Sequence, residues 1–179
     1  MNYQGVTDQW VKEVVIDLGL CPFAGKSILE KRLSTRVITS TVQEKIFEEF
    51  IEEIYSLEND PNLESSLITV PNAFSSFDSF LEAIAFSKEL LSMSGFAVDY
   101  QVAFFHPQFV FEGVEENDPS NFTNRSPYPT FHPIKEKAMS RAIDSHAEIE
   151  SVPLQNIEKT RNLGLDHMQN LLKNCYKAN

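Results

Sequence analysis

Apolar positions along this chain recur at two different periods, and the switches between them mark its elements. Val6, Trp10, Val14 and Leu18, with Val11 and Val15 beside them, fall at helical spacing and predict an amphipathic helix over about residues 7–19. Gly19 and Pro22 follow as stop signals. Thr35 to Ser40 reads as a short strand. Thr41-Val42-Gln43-Glu44 has the form of a capping box and opens a helix with Ile46, Phe47, Phe50, Ile51 and Ile54 on one side and a solvated glutamate face opposite, fading at Asn59-Asp60-Pro61. Leu67 to Val70 reads as a second strand. A third helix, capped by Ser75 or Ser76, carries Phe77, Phe80, Leu81, Ile84 and Leu91 as its buried stripe and ends at Gly95.

Residues 97–105 form the strongest strand pattern, and Phe109 to Phe111 suggests a short fourth strand. Pro133 suits the first turn of a helix, which places His132 at its N-cap and carries the helix to about Glu148. A break at Ser151–Pro153 and then Gly164 divide the remainder into two shorter helices. Strands alternating with helices predict one α/β domain over residues 1–179, with three or four strands packed by five or six helices. A parallel sheet is the first expectation; a mixed sheet with an added edge strand is the alternative.

Composition narrows the partners. The net charge of −11 sets up a field that repels nucleic acid and anionic lipid. The one basic cluster, Lys26, Lys31, Arg32 and Arg36, has no aromatic side chains interleaved with it, so no nucleic-acid partner is expected. No apolar run approaches the ~20 residues that span a bilayer, so no membrane partner is expected either. The N-terminal MNYQGVTDQW lacks the basic-then-apolar form of a secretory signal, and two cysteines make no disulfide framework. A cytoplasmic location is the expectation. Glycine-rich nucleotide loops and the Gly-x-Ser-x-Gly elbow are absent from the sequence, and nothing in it names a cofactor or an oligomeric state.

Candidate chemistry concentrates in the connection 106–132, too long for an ordinary loop and too rich in aromatic residues for a solvated tail. In an open α/β sheet, the loops after the strands' carboxyl ends carry the ligand. Arg125, flanked by Asn121, Thr123, Asn124 and Ser126, has the make-up of a fork for an anionic small molecule. The competing reading is that Arg125 pairs with Asp118 or a nearby glutamate and staples the loop. His106 and His132 bracket the segment as candidate proton carriers, with Asp118 to orient one of them. A helix N-terminus at His132 would keep that imidazole neutral. The same two histidines with Asp118 have the ligand types of a metal triad, but their spacing matches no compact metal motif. Cys21 is an outside candidate for a nucleophile, although a helix C-terminus offers no dipole that favours the thiolate.

Three stretches have a family likeness: Val15-Ile16-Asp17-Leu18-Gly19-Leu20-Cys21-Pro22-Phe23-Ala24, Phe105-His106-Pro107-Gln108-Phe109, and Asp118 through Pro129 with its Asn124-Arg125-Ser126-Pro127-Tyr128-Pro129 string. Together with Val152 to Ile157 and Leu163-Gly164, they resemble the mainly bacterial family called domain of unknown function 1415. The resemblance runs from about Trp10 to Gly164 and implies a small cytosolic protein, with no reaction attached. From the residues themselves, the expectation is a small hydrolase or group transferase acting on an anionic metabolite through the 106–132 loop. A non-catalytic module binding a metabolite or peptide, or a purely structural loop, are the alternatives.

Overall fold

A computed structural model describes residues 2–145 and 149–178. The first helix, α1 (Tyr3–Trp10), begins where the Asn2 side chain accepts the Gly5 N–H. It runs on without interruption into a π segment, Val11–Ile16, whose wider turns are marked by Asp17 N–H bonding Lys12 O and Leu20 N–H bonding Val15 O, both 2.9 Å. Gly19, at φ +63°, ends this helix in the left-handed region that glycine reaches without strain. A short α2 (Ala24–Leu29) follows, which the apolar pattern did not reveal.

Two long helices match their sequence readings closely, although Leu81, read as part of a buried stripe, is exposed. α3 (Gln43–Asn59) and α4 (Phe77–Met93) bury Ile46, Phe47, Phe50 and Ile54, and Phe80, Ala83, Ile84 and Leu91. Ser76 caps α4 as its spacing indicated, accepting the Ser79 N–H. The capping box of α3 is not formed: Val42 is the N-cap, with no side-chain hydrogen bond. Nor is its glutamate face wholly solvated. Glu53 is buried and accepts from Ser34 and Ser66 at 2.7 Å, while Arg36 gathers Glu49, Glu52 and Glu53.

The strands are β1 (Leu33–Val37), β2 (Ser65–Thr69), β3 (Tyr100–Phe105) and β4 (Thr130–Lys135), in the order β1-β2-β4-β3. Only β1 and β2 are parallel; β4 is antiparallel to both neighbours, so the sheet is mixed. The fourth strand is not Phe109–Phe111, which is irregular, and it is not an added edge. It is the segment read as a helix start. Phe131 points to the α3/α4 layer, where it meets Phe47, Phe50, Phe74 and Phe80, and that burial outweighs Pro133's preference for a first helical turn. Proline has no N–H to give a ladder, and pairing with β2 is correspondingly broken between Ile68↔Phe131 and Ser65↔Ile134. His132 is thus a mid-strand residue, not an N-cap.

After β4 come α5 (Glu136–Ser145), α6 (Val152–Leu163) and α7 (Leu165–Cys175), the last two divided at Gly164 as read. The expected extension of α5 to Glu148 lies outside the described residues. Among those residues, seven α-helices flank the sheet in an α/β arrangement. One core fills the space between the sheet and α3/α4. A second, centred on Val6, Trp10, Val14, Leu67, Phe122 and Met168, lies on the opposite face under α1 and α7. No helix among the described residues is long and apolar enough to cross a membrane.

Candidate functional site

The 106–132 segment is ordered by its own polar groups. Asn121 is fully buried and uses its whole amide: Oδ1 accepts from Phe111 N–H (3.0 Å), and Nδ2 donates to Glu115 O and Glu116 O (2.9 and 3.1 Å). Arg125 donates from Nε to Phe109 O and from a terminal nitrogen to Glu116 O (3.0 and 2.8 Å), with its plane 4.8 Å over the Phe122 ring. Thr123 bonds Ser120 O and Asn124 Oδ1, Asn124 reaches Phe104 O, and Ser126 donates to Tyr128 O at 2.6 Å. Each side chain of the expected anion fork therefore serves the irregular backbone, whose polar groups must find partners somewhere.

Asp118 accepts from Ser120 N–H inside the loop and takes a two-pronged contact from Arg161 of α6 (2.8–3.1 Å). That guanidinium holds its carboxyl well below the ordinary carboxylate range. His106 is fully buried between Phe77 and Phe80; Nε2–H donates to Phe74 O (2.9 Å) and Nδ1 accepts Gln108 N–H (3.1 Å). Burial lowers its pKa, against the opposing pull of the Phe74 carbonyl. Both ring nitrogens are engaged by backbone. His106 faces the α4 layer, while His132 packs against Phe105 on the other side of the sheet. The two loop histidines do not meet, and no group of three or more His, Cys, Asp and Glu able to hold a metal occurs among the described residues.

His132 and Cys21 are brought together elsewhere. Both line a cavity of about 290 Å³ on the second face of the sheet. Side chains alternate across a strand, so Ser65 and Leu67, Ala103 and Phe105, and His132 and Ile134 share this face and form its floor. Trp10 and the π-segment residues Val11 and Val15 make one wall; Cys21 and α2 make another; Ala138, Met139 and Ala142 line it from α5. The hollow exists because small residues stand where large ones would meet: Ala103 is the cross-strand partner of His132, and Ala24, Ser27, Ser65, Ala138 and Ala142 face inward around it. π segments are frequent at functional sites, and here the widened turns carry two wall residues.

Among the described residues, two buried side-chain polar atoms have no hydrogen-bond partner, Tyr128 Oη and His132 Nε2. The second belongs to a residue that lines the cavity just described. Desolvation by burial lowers the His132 pKa to about 4, so its imidazole is neutral near pH 7. No helix dipole acts on this mid-strand ring; burial is what disfavours its charged form. A larger open groove of about 850 Å³ runs between α3 and α4, floored by Phe47, Ile51, Phe86 and Leu90. It contains none of the candidate residues and no buried polar atom lacking a partner. Of the two, the smaller cavity is the one lined by candidate residues, Cys21 and His132.

Sequence reading did not point to Glu64, Ser65, Ala103 or the α5 residues, because no periodicity links side chains drawn from separate elements. The motif segments it did single out prove to be mutual staples. Asn156 and Lys159 of α6 donate to Leu20 O and Leu18 O (2.7 and 2.6 Å), and Trp10 Nε1–H donates to Arg125 O (3.0 Å). These bonds satisfy carbonyls that the end of the first helix and the loop leave open.

Fold and cavity together define a small α/β protein with a ligand-sized hollow against one face of a mixed sheet. The chain belongs to the family described as protein of unknown function (DUF1415), whose profile matches residues 2–170. No curated protein and no solved structure matches it.

Proposed function

We propose that this protein binds a small, mainly apolar molecule in the cavity beneath α5, with His132 as its polar anchor. The observation that carries this reading is a buried, unpartnered Nε2 on His132, a residue that lines a mainly apolar hollow. An unsatisfied buried nitrogen costs about 1–3 kcal/mol, which a ligand hydroxyl or amide recovers on binding. A concave apolar site with one oriented polar group is the usual form of a small-molecule pocket.

The test is calorimetric titration with straight-chain α,ω-diols of graded length. Saturable binding is expected for at least one length, weakened about tenfold or more in Ala138→Phe, which fills part of the cavity, and in His132→Leu, which removes the anchor. No side chain of α5 is buried, so Ala138→Phe leaves the fold intact. Absence of saturable binding across the series would rule this reading out.

A second reading makes the site catalytic, because Cys21 lines the same cavity as His132. In group transfer, the Cys21 sulfur attacks an acyl carbon, the neutral imidazole takes the thiol proton, and the leaving alcohol departs protonated. Incubation with a p-nitrophenyl acyl ester is then expected to add one acyl group at Cys21, seen by mass spectrometry and lost in Cys21→Ser. Labelling that persists unchanged in His132→Leu would reduce Cys21 to an ordinary exposed thiol.

A further inference from the structure

We infer that the ligand carries a carboxylate at its outer end, held at a cationic vestibule over the mouth of the cavity; the inference rests on the binding reading above. The apolar hollow adjoins a second, more polar one. Phe23, Ser27, Glu64, Ala138 and Ala142 line both it and a polar recess of about 480 Å³ further out. That recess gathers Lys26, Arg32 and Arg141 against Glu64 and Asp144, a cationic surplus in a chain whose net charge is −11.

The cations there are not equally committed. Arg32 is held between Glu30 and Glu64, the latter at 2.8 Å. Arg141 gives one nitrogen to the same Glu64 oxygen at 2.9 Å, which leaves other donors of its five-N–H fork free. Lys26 has no ion-pair partner among the described residues. Two donors on facing elements, Lys26 of α2 and Arg141 of α5, thus flank the mouth, and Glu64 bridges Arg141 to Arg32 below them. A ligand with a polar inner end at His132, an apolar body against Ala103 and Ile134, and a carboxylate between Lys26 and Arg141 satisfies each feature at once. Arg141 donates to such a group without leaving Glu64, because Nη1, Nε and the second Nη2 hydrogen remain.

The experiment compares ω-hydroxyalkanoates with α,ω-diols of the same length, six to ten carbons, by calorimetry at 20 mM and 200 mM salt. The pairs differ only in the charged end. For the best-fitting length, the acid is expected to bind about tenfold tighter than the diol at low salt, with the margin shrinking at high salt. That margin is expected to vanish in the Lys26→Gln/Arg141→Gln double variant while diol affinity stays unchanged. Equal affinity of acid and diol, or an acid margin that survives the double variant, overturns the carboxylate assignment and leaves the cavity reading standing. Failure of both series to bind overturns the two together. Arg141 is exposed and its pair with Glu64 contributes little to stability, so the double variant is expected to fold.

Discussion

Asn121→Ala is expected to lower the unfolding free energy by about 3 kcal/mol, a fall in Tm of roughly 10 °C for a domain of this size. The substitution strips three hydrogen bonds at once. It leaves the Phe111 N–H and the Glu115 and Glu116 carbonyls facing a side chain that offers nothing in return. Because Asn121 is fully buried, water does not easily replace the amide. Arg125→Ala acts on the same loop but less severely, at about 1–2 kcal/mol. Its two acceptors are carbonyls, one of them near solvent. Neither variant is expected to change diol affinity in the His132 cavity, which neither residue lines. Chemical denaturation of both variants beside the calorimetric titration checks this. A large loss of affinity in folded Arg125→Ala would return the site to the loop.

Acidification provides the second large effect. In the folded chain His132 has a pKa lowered to about 4 by burial, against 6.5 for the ordinary imidazole. Above pH 6.5 both folded and unfolded chains hold this ring neutral, and stability is fully present. Between 6.5 and 4 the unfolded chain takes up a proton that the folded chain refuses, so stability falls as pH falls. Below 4 both forms are protonated and the loss levels off at roughly 3 kcal/mol. His106, lowered by burial as well, adds to the loss in the same direction. Urea unfolding at pH 7, 5.5 and 4.5 is expected to show most of the decline in the native sequence and a clearly smaller one in His132→Leu. Parallel curves for the two proteins would mean that the imidazole is open to water.

Much of this fold was legible because long helices advertise themselves. α3 and α4 repeat large apolar side chains every three or four residues over 17 residues each, and Ser76 and Gly164 sit where their chemistry places a cap and a break. β4 was illegible for a specific reason. Proline after a polar residue reads locally as a helix start, and only the tertiary pull on Phe131 and the acceptable gap in the β2 ladder make His132-Pro133 a strand. The aromatic residues of the loop did signal order, and Phe109, Phe122 and Tyr128 are indeed buried. Which of the loop's polar groups face inward was not encoded in residue type. Asparagine, threonine and arginine suit a ligand and an irregular backbone equally well, and only coordinates count the acceptors each one meets. The cavity was hidden further still, since it is defined by what alanine and serine leave empty.

The chain's last strand in sequence occupies an inner position of the sheet, and this shapes how the molecule is made. During synthesis Tyr100–Phe105 emerges with no neighbour to pair with, because its sole partner is still some thirty residues from release. Ser65–Thr69 meanwhile holds Leu33–Val37 on one flank and offers the other, bare, to any passing polypeptide. Thr130–Lys135 closes both seams, so the sheet cannot be completed until that late keystone has been made.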